Sequence, residues 1–153
     1  MMSCTKFMTG LLLLAYSLVA ADLAVGTWKL NISKSKFSPG PPPQSATVTY
    51  EETANGIKRT GEAVNSEGNK ISFEYTAQHD GKDYPVSGSP NADTISLKRV
   101  NDRTVESTLK KDGKVVTTVR RVVSPDGKTM TLNISGTNAQ GQKVKNVQVY
   151  DKQ

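Results

Sequence analysis

Few residues in this chain have the chemistry to bind or transform a small molecule, and three arginines stand out among them. Alternation along the chain puts Arg59 in phase with Ile57 and Ala63, Arg99 with Ile95 and Leu97, and Arg121 with Val115, Val119 and Val123. A guanidinium in phase with apolar side chains is aimed at the interior they fill, where an unpaired charge is strongly destabilising. Such an arginine either reaches water along its aliphatic stem from a strand end or meets an anion. Arg121 is the best placed of the three to contact a ligand. Other chemistry is poorly supplied. His79 is the only histidine, next to the corner Asp80-Gly81, which is expected to be exposed. The only cysteine, Cys4, precedes the apolar N-terminal run, so the rest of the chain offers no Cys-His dyad and no zinc site of the usual kind. Ser, His and Asp residues occur without a nucleophile motif to assemble them. Glu51 and Glu52 point to opposite faces of one strand and cannot flank a substrate as a pair. The reading is a protein that is not an enzyme and has neither cofactor nor metal.

The elements that must position these side chains are strands. Ile71, Phe73, Tyr75 and Ala77 alternate with Ser72, Glu74, Thr76 and Gln78. Met130, Leu132 and Ile134 alternate with Thr129, Thr131 and Asn133, and Ala46, Val48 and Tyr50 with Thr47, Thr49 and Glu51. A period of two gives one dry and one wet face, the pattern of an antiparallel sheet around a single core. Asn55-Gly56, Asp80-Gly81, Asp112-Gly113 and Asp126-Gly127 are dipeptides that accept positive φ in tight hairpins. Strands are predicted at about 25–31, 45–53, 57–64, 70–79, 82–86, 94–100, 103–111, 114–123, 128–136 and 143–151. No useful amphipathic helix appears among them. Ser38-Pro39-Gly40-Pro41-Pro42-Pro43 is a stiff extended connector barred from a ladder, because proline fixes φ and lacks the N–H donor. Pro85 marks its strand as an edge or rim piece. Ten short strands joined by tight turns predict an all-β fold, a small antiparallel up-and-down barrel whose closure removes sticky edges, with a β-sandwich as the alternative.

The N-terminus has a different character. Lys6 precedes an apolar stretch from Phe7 to Ala21, and Val19 and Ala21 are small enough for the −3 and −1 positions of a peptidase site. Residues 1–21 are therefore expected to be a cleaved export signal, leaving 22–153 as one domain in the periplasm or outside the cell. The run is shorter than a bilayer span needs, so no stable membrane insertion is expected. Asn31-Ile32-Ser33 and Asn133-Ile134-Ser135 fit the glycosylation sequon, which matters only in a eukaryotic host. The net charge of +6 is spread through turns and alternate strand positions. It forms no dense basic run with aromatic interleaving, so a solvated surface explains it better than nucleic-acid binding.

Val25-Gly26-Thr27-Trp28-Lys29-Leu30 carries Gly-x-Trp on the first strand, and the chain closes on Val147-Gln148-Val149-Tyr150-Asp151-Lys152. With the hairpin from Asp112 to Arg121, these features resemble the calycin group, the lipocalins and fatty-acid-binding proteins, and most of all the lipocalin-like domains of exported bacterial proteins. In the fatty-acid carriers two arginines and a tyrosine on late strands hold the ligand carboxylate. By position Tyr150 matches the tyrosine and Arg121 one arginine, whereas Gln148 stands at the other. Glutamine there keeps hydrogen bonding but loses a bidentate ion pair, and the proline connector replaces the family's helical lid. The resemblance implies a barrel enclosing a small hydrophobic or amphiphilic molecule, partly apolar and with an anionic group as one partner for an inward arginine. The expected lining is Tyr50, Phe73, Tyr75, Leu97, Leu132 and Tyr150, with Arg121 and Gln148 as polar anchors. Trp28 is expected to be a structural plug at the closed end. The competing reading is a barrel that binds another exported protein, such as an inhibitor of secreted enzymes. Its interior would be filled, and its contacts would come from loops 36–44 and 82–93.

Overall fold

The structure is a computed structural model describing residues 20–153. Cys4 and nearly all of the expected export signal lie outside the described residues. Ten antiparallel strands run β1 (Gly26–Leu30), β2 (Ser45–Thr53), β3 (Gly56–Val64), β4 (Lys70–Ala77), β5 (Tyr84–Ser87), β6 (Thr94–Asn101), β7 (Thr104–Lys111), β8 (Lys114–Val123), β9 (Thr129–Thr137) and β10 (Lys143–Lys152). Each pairs with its sequence neighbours, and β1 closes the ring against β10, as the alternation required of a barrel. The closing seam pairs Trp28 with Lys152, Lys29 with Asp151 and Leu30 with Tyr150. Turn chemistry fixes the registers. Asp112 (φ 49°) and Gly113 (φ 76°) both take positive φ, and Lys111 pairs with Lys114 across them. This two-residue turn has the twist that suits a hairpin.

Two expectations about the connectors need correction. The first concerns the segment after β1, where a short 3-10 turn, Ile32–Lys34, precedes the prolines. Because β1 is only half as long as β10, the unpaired half of the β10 edge is free to bond elsewhere. Lys36 takes it, exchanging N–H···O=C bonds of 2.8 Å with Val147, and the N–H of Lys145 donates to the Ser38 carbonyl at 2.9 Å. The prolines stay out of the ladder, but the residues just before them do not. The second concerns β5, expected as an edge or rim piece, of which the edge alternative does not hold. It lies inside the closed ring, and Pro85 instead shortens it: β5 pairs with β4 only at Glu74–Ser87 and Tyr75–Val86, and with β6 only at Tyr84–Ile95 and Pro85–Thr94.

One end of the barrel is packed solid. Trp28, Val48, Leu97, Val123 and Met130 are all but inaccessible there. The segment before β1 folds under them, with the buried Ala24 accepting the Trp28 indole N–H at 2.7 Å. The Lys152 ammonium lies 5.4 Å from the indole centroid on the other side. An indole with its single donor satisfied and its ring enclosed contributes on the order of 3–5 kcal/mol by comparison with alanine.

Candidate functional site

Above this packed layer the barrel is hollow. The cavity measures about 660 Å³ and is walled mainly by apolar and aromatic side chains. Tyr50 comes from β2, Phe73 and Tyr75 from β4, Arg121 from β8, Leu132 from β9, and Gln148 and Tyr150 from β10. Those are seven of the eight expected lining residues. Leu97 is the exception: it faces inward, as alternation predicted, but is 1% exposed within the packed core and does not reach the cavity. Parity separates inside from outside, but not one depth along the barrel axis from another. The mouth is rimmed by Phe37, Pro41 and Pro43 of the connector and by Gly88 to Asn91 after β5.

The three inward-phased arginines have different surroundings. Arg121, only 6% exposed, meets an internal partner: its Nη2 donates to both carboxylate oxygens of Asp22, at 2.8 and 2.6 Å. Burial alone would push the Asp22 carboxyl up, but contact with His79 and the Arg121 charge together hold it well below the usual carboxylate range. His79 Nε2 is 3.2 Å from Asp22 Oδ2, near enough to act electrostatically although its geometry is not that of an aligned hydrogen bond. His79 is therefore packed on the closed end and is not the exposed corner expected of it. The Arg121 guanidinium also lies 4.8 Å from the Tyr50 ring centroid, at the cavity floor. Arg99 does reach outward, donating to the Ala20 carbonyl at 2.9 Å.

Arg59 is the arginine that faces the cavity without a counter-charge. In register it lies between Tyr50 on β2 and Tyr75 on β4. Its guanidinium extends toward the mouth, 5.0 Å from the Phe73 centroid. Gly61 makes room for it: a Cβ there would come within 2.9 Å of Arg59 Nη1. No carboxylate pairs with Arg59 among the described residues. Two nearby phenols, Tyr75 and Tyr150, are neutral at ordinary pH, since burial pushes Tyr150 up to about 12 and raises Tyr75 as well. The Tyr150 hydroxyl donates to Gln148 Oε1 at 3.0 Å, so these two expected late-strand polar groups partly satisfy each other.

Sequence reasoning placed Arg59 inside but did not give it a place in the lining. The signal was available, because Gly61 shares its parity and leaves the space its long side chain needs. Asp22 was missed altogether, since it precedes the first strand and no periodicity marks it. Around Trp28 the structure shows a buried packing role, and Asn31, the first sequon asparagine, uses its amide to donate to Asp151 Oδ2 at 2.8 Å.

No family model and no curated protein matches the chain. Among solved structures it is similar to the zebrafish ileal bile acid-binding protein complexed with cholic acid, with a TM-score of 0.51 and 12% identity over 86% of this chain and 99% of that one. The siderocalin Ex-FABP overlays with a TM-score of 0.40 and 9% identity, over 86% of this chain and 74% of its own. With ten antiparallel strands closed in simple order and a bile acid-binding protein matched nearly end to end, this chain has a calycin-type barrel fold.

Proposed function

We propose that the protein is a non-catalytic carrier that encloses one small, partly apolar molecule in its barrel. The observation that carries this reading is the cavity itself. At about 660 Å³ it falls within the ~300–1,000 Å³ typical of ligand sites, and its aromatic and aliphatic walls converge on a few polar groups. The competing reading, a barrel that docks another exported protein, called for a filled interior, and a space of this size favours the carrier. The cholic acid held by the zebrafish protein supports a small-molecule cargo at the level of fold only. Tyr50, Phe73, Tyr75, Leu132 and Tyr150 supply the apolar and aromatic contacts, and Gln148 a hydrogen bond. No cofactor, metal or nucleic acid enters this function.

Export through a cleaved signal belongs to the same proposal. Ala20 and Ala21 are exposed whereas Asp22 is buried, a change in burial that supports a cut after Ala21. Among the described residues no helix is long and apolar enough to cross a membrane. Native mass spectrometry of protein purified gently from its own host tests the carrier reading. The expected result is a non-covalent adduct of a few hundred daltons that a fluorescent lipid displaces. A bare polypeptide mass together with no uptake of the fluorescent lipid would refute it.

A further inference from the structure

The cavity holds two arginines, and their surroundings give them unequal capacity for a ligand. Arg121 is already neutralised from below: two Nη2 contacts to Asp22, within an ion pair whose side chains are 6% and 5% exposed, use its charge inside the fold. Glu62 touches the cavity rim, but it has the opposite parity to Arg59 and is exposed on the outer side of β3. Arg59 therefore leaves one uncompensated positive charge in a space otherwise walled by neutral groups. An arginine cannot shed its proton to relieve the cost of burial. The surrounding rings relieve part of it: Phe73 offers its face at 5.0 Å, and Tyr50 and Tyr75 flank the arginine in register. The Tyr50 hydroxyl is within reach of one N–H of the fork, but aromatic faces use none, and the planar geometry of the remaining donors matches a carboxylate. Gly61 gives the fork its space on the β3 wall, since a side chain there would meet Arg59 Nη1 at 2.9 Å.

Resting on the carrier reading, we infer that the cargo is an amphiphile with a single carboxylate, seated on Arg59 of β3, its apolar body extending among Phe73, Leu132 and Ile134. This seat lies on the early strands, away from the Arg121, Gln148 and Tyr150 positions that the late-strand resemblance implies, because Asp22 fills the electrostatic role of a ligand at Arg121. One bound carboxylate would cancel the one free charge, and a dianion would carry an unpaired negative charge into an apolar site.

The test compares a matched pair of probes, dodecanoic acid and 1-dodecanol, each displacing Nile red from the purified protein at pH 7.5. The two differ at the head group alone. Wild type is expected to bind the acid at least about tenfold more tightly than the alcohol. Arg59→Met, which keeps length and removes charge, should erase that preference while the alcohol still displaces the dye. The double variant Asp22→Asn/Arg121→Met should keep the preference. Equal affinity for acid and alcohol in wild type, or a preference that survives Arg59→Met, overturns the assignment of the carboxylate to Arg59 and leaves the carrier reading standing. If Nile red itself fails to bind wild type, the carrier reading falls and the assignment with it. Circular dichroism of each variant confirms that the barrel has formed before affinities are compared.

Discussion

Replacing Asp22 with alanine tests whether the closed end is held by the buried ion pair as the geometry implies. The Asp22 and Arg121 side chains are 5% and 6% exposed, both contacts to Asp22 come from Nη2, and the buried Arg121 Nε has no hydrogen-bond partner. Removing the carboxylate thus strands a guanidinium that water cannot readily reach. Breaking one side of such a pair costs on the order of 3–5 kcal/mol, a large share of the ~5–15 kcal/mol that holds a typical domain. At roughly 3–5 °C per kcal/mol for a chain of this size, the melting temperature should fall by about 10–20 °C. Urea unfolding at pH 7, followed by fluorescence of the single tryptophan Trp28, measures the free energy directly. The double variant Asp22→Ala/Arg121→Met should recover most of the loss, because the stranded charge is gone. The same pair predicts the acid limb of the stability curve. The Asp22 carboxyl is depressed in the folded state below its free value of 3.8. Its contribution is therefore complete above that value and is lost as pH falls toward the folded pKa, so Asp22→Asn should flatten the curve below about pH 4. A single variant that costs less than about 1 kcal/mol, or a double variant no more stable than the single one, would refute the reasoning.

Further outcomes follow from other parts of the barrel. Gly136 on β9 has no space for a side chain, since a Cβ would lie 2.3 Å from the Val116 carbonyl oxygen; Gly136→Ala should lower the urea midpoint by the equivalent of about 1–3 kcal/mol. Gly61→Ala meets only the flexible end of Arg59, so it should leave the midpoint nearly unchanged while weakening dodecanoic acid binding. Alkaline difference spectroscopy should show a phenol titrating near 12 that disappears in Tyr150→Phe. Because that phenol is raised on folding, its contribution is intact below the unfolded value near 10 and fades as pH climbs toward 12. N-terminal sequencing of exported protein should begin at Asp22, and a start several residues later would remove the partner of Arg121.

Much of the fold was legible because the alternation is strong and nearly every turn declares itself. Asp112-Gly113 and Asp126-Gly127 fixed their hairpins to within a residue, since few side chains tolerate the positive φ those turns need. What sequence alone did not reveal were interactions that have no period. The pairing of Lys36 with Val147 depends on β1 being too short to cover β10, a property of the closed ring that no local pattern records. Leu97 shows the same limit at the site: its phase put it inside, but its depth is set by the stagger of the strands around the barrel. The arginines show it most clearly. Arg59, Arg99 and Arg121 have the same pattern of apolar neighbours in the sequence, yet one faces the cavity, one bonds to the Ala20 carbonyl and one is buried on Asp22. The difference lies in which residues distant in sequence come near each guanidinium, and Asp22 is 99 positions from Arg121.

The central claim is that the ligand goes inside. Amide chemical-shift mapping of the isotope-labelled protein during titration with 1-dodecanol tests it most directly. Saturable shifts at a 1:1 ratio should cluster on the inward-facing positions of β2, β3, β4, β9 and β10, led by the residues around Phe73, Tyr75 and Leu132. Shifts confined to the outer face or to the loops around the mouth, with these inward positions unmoved, would contradict the account.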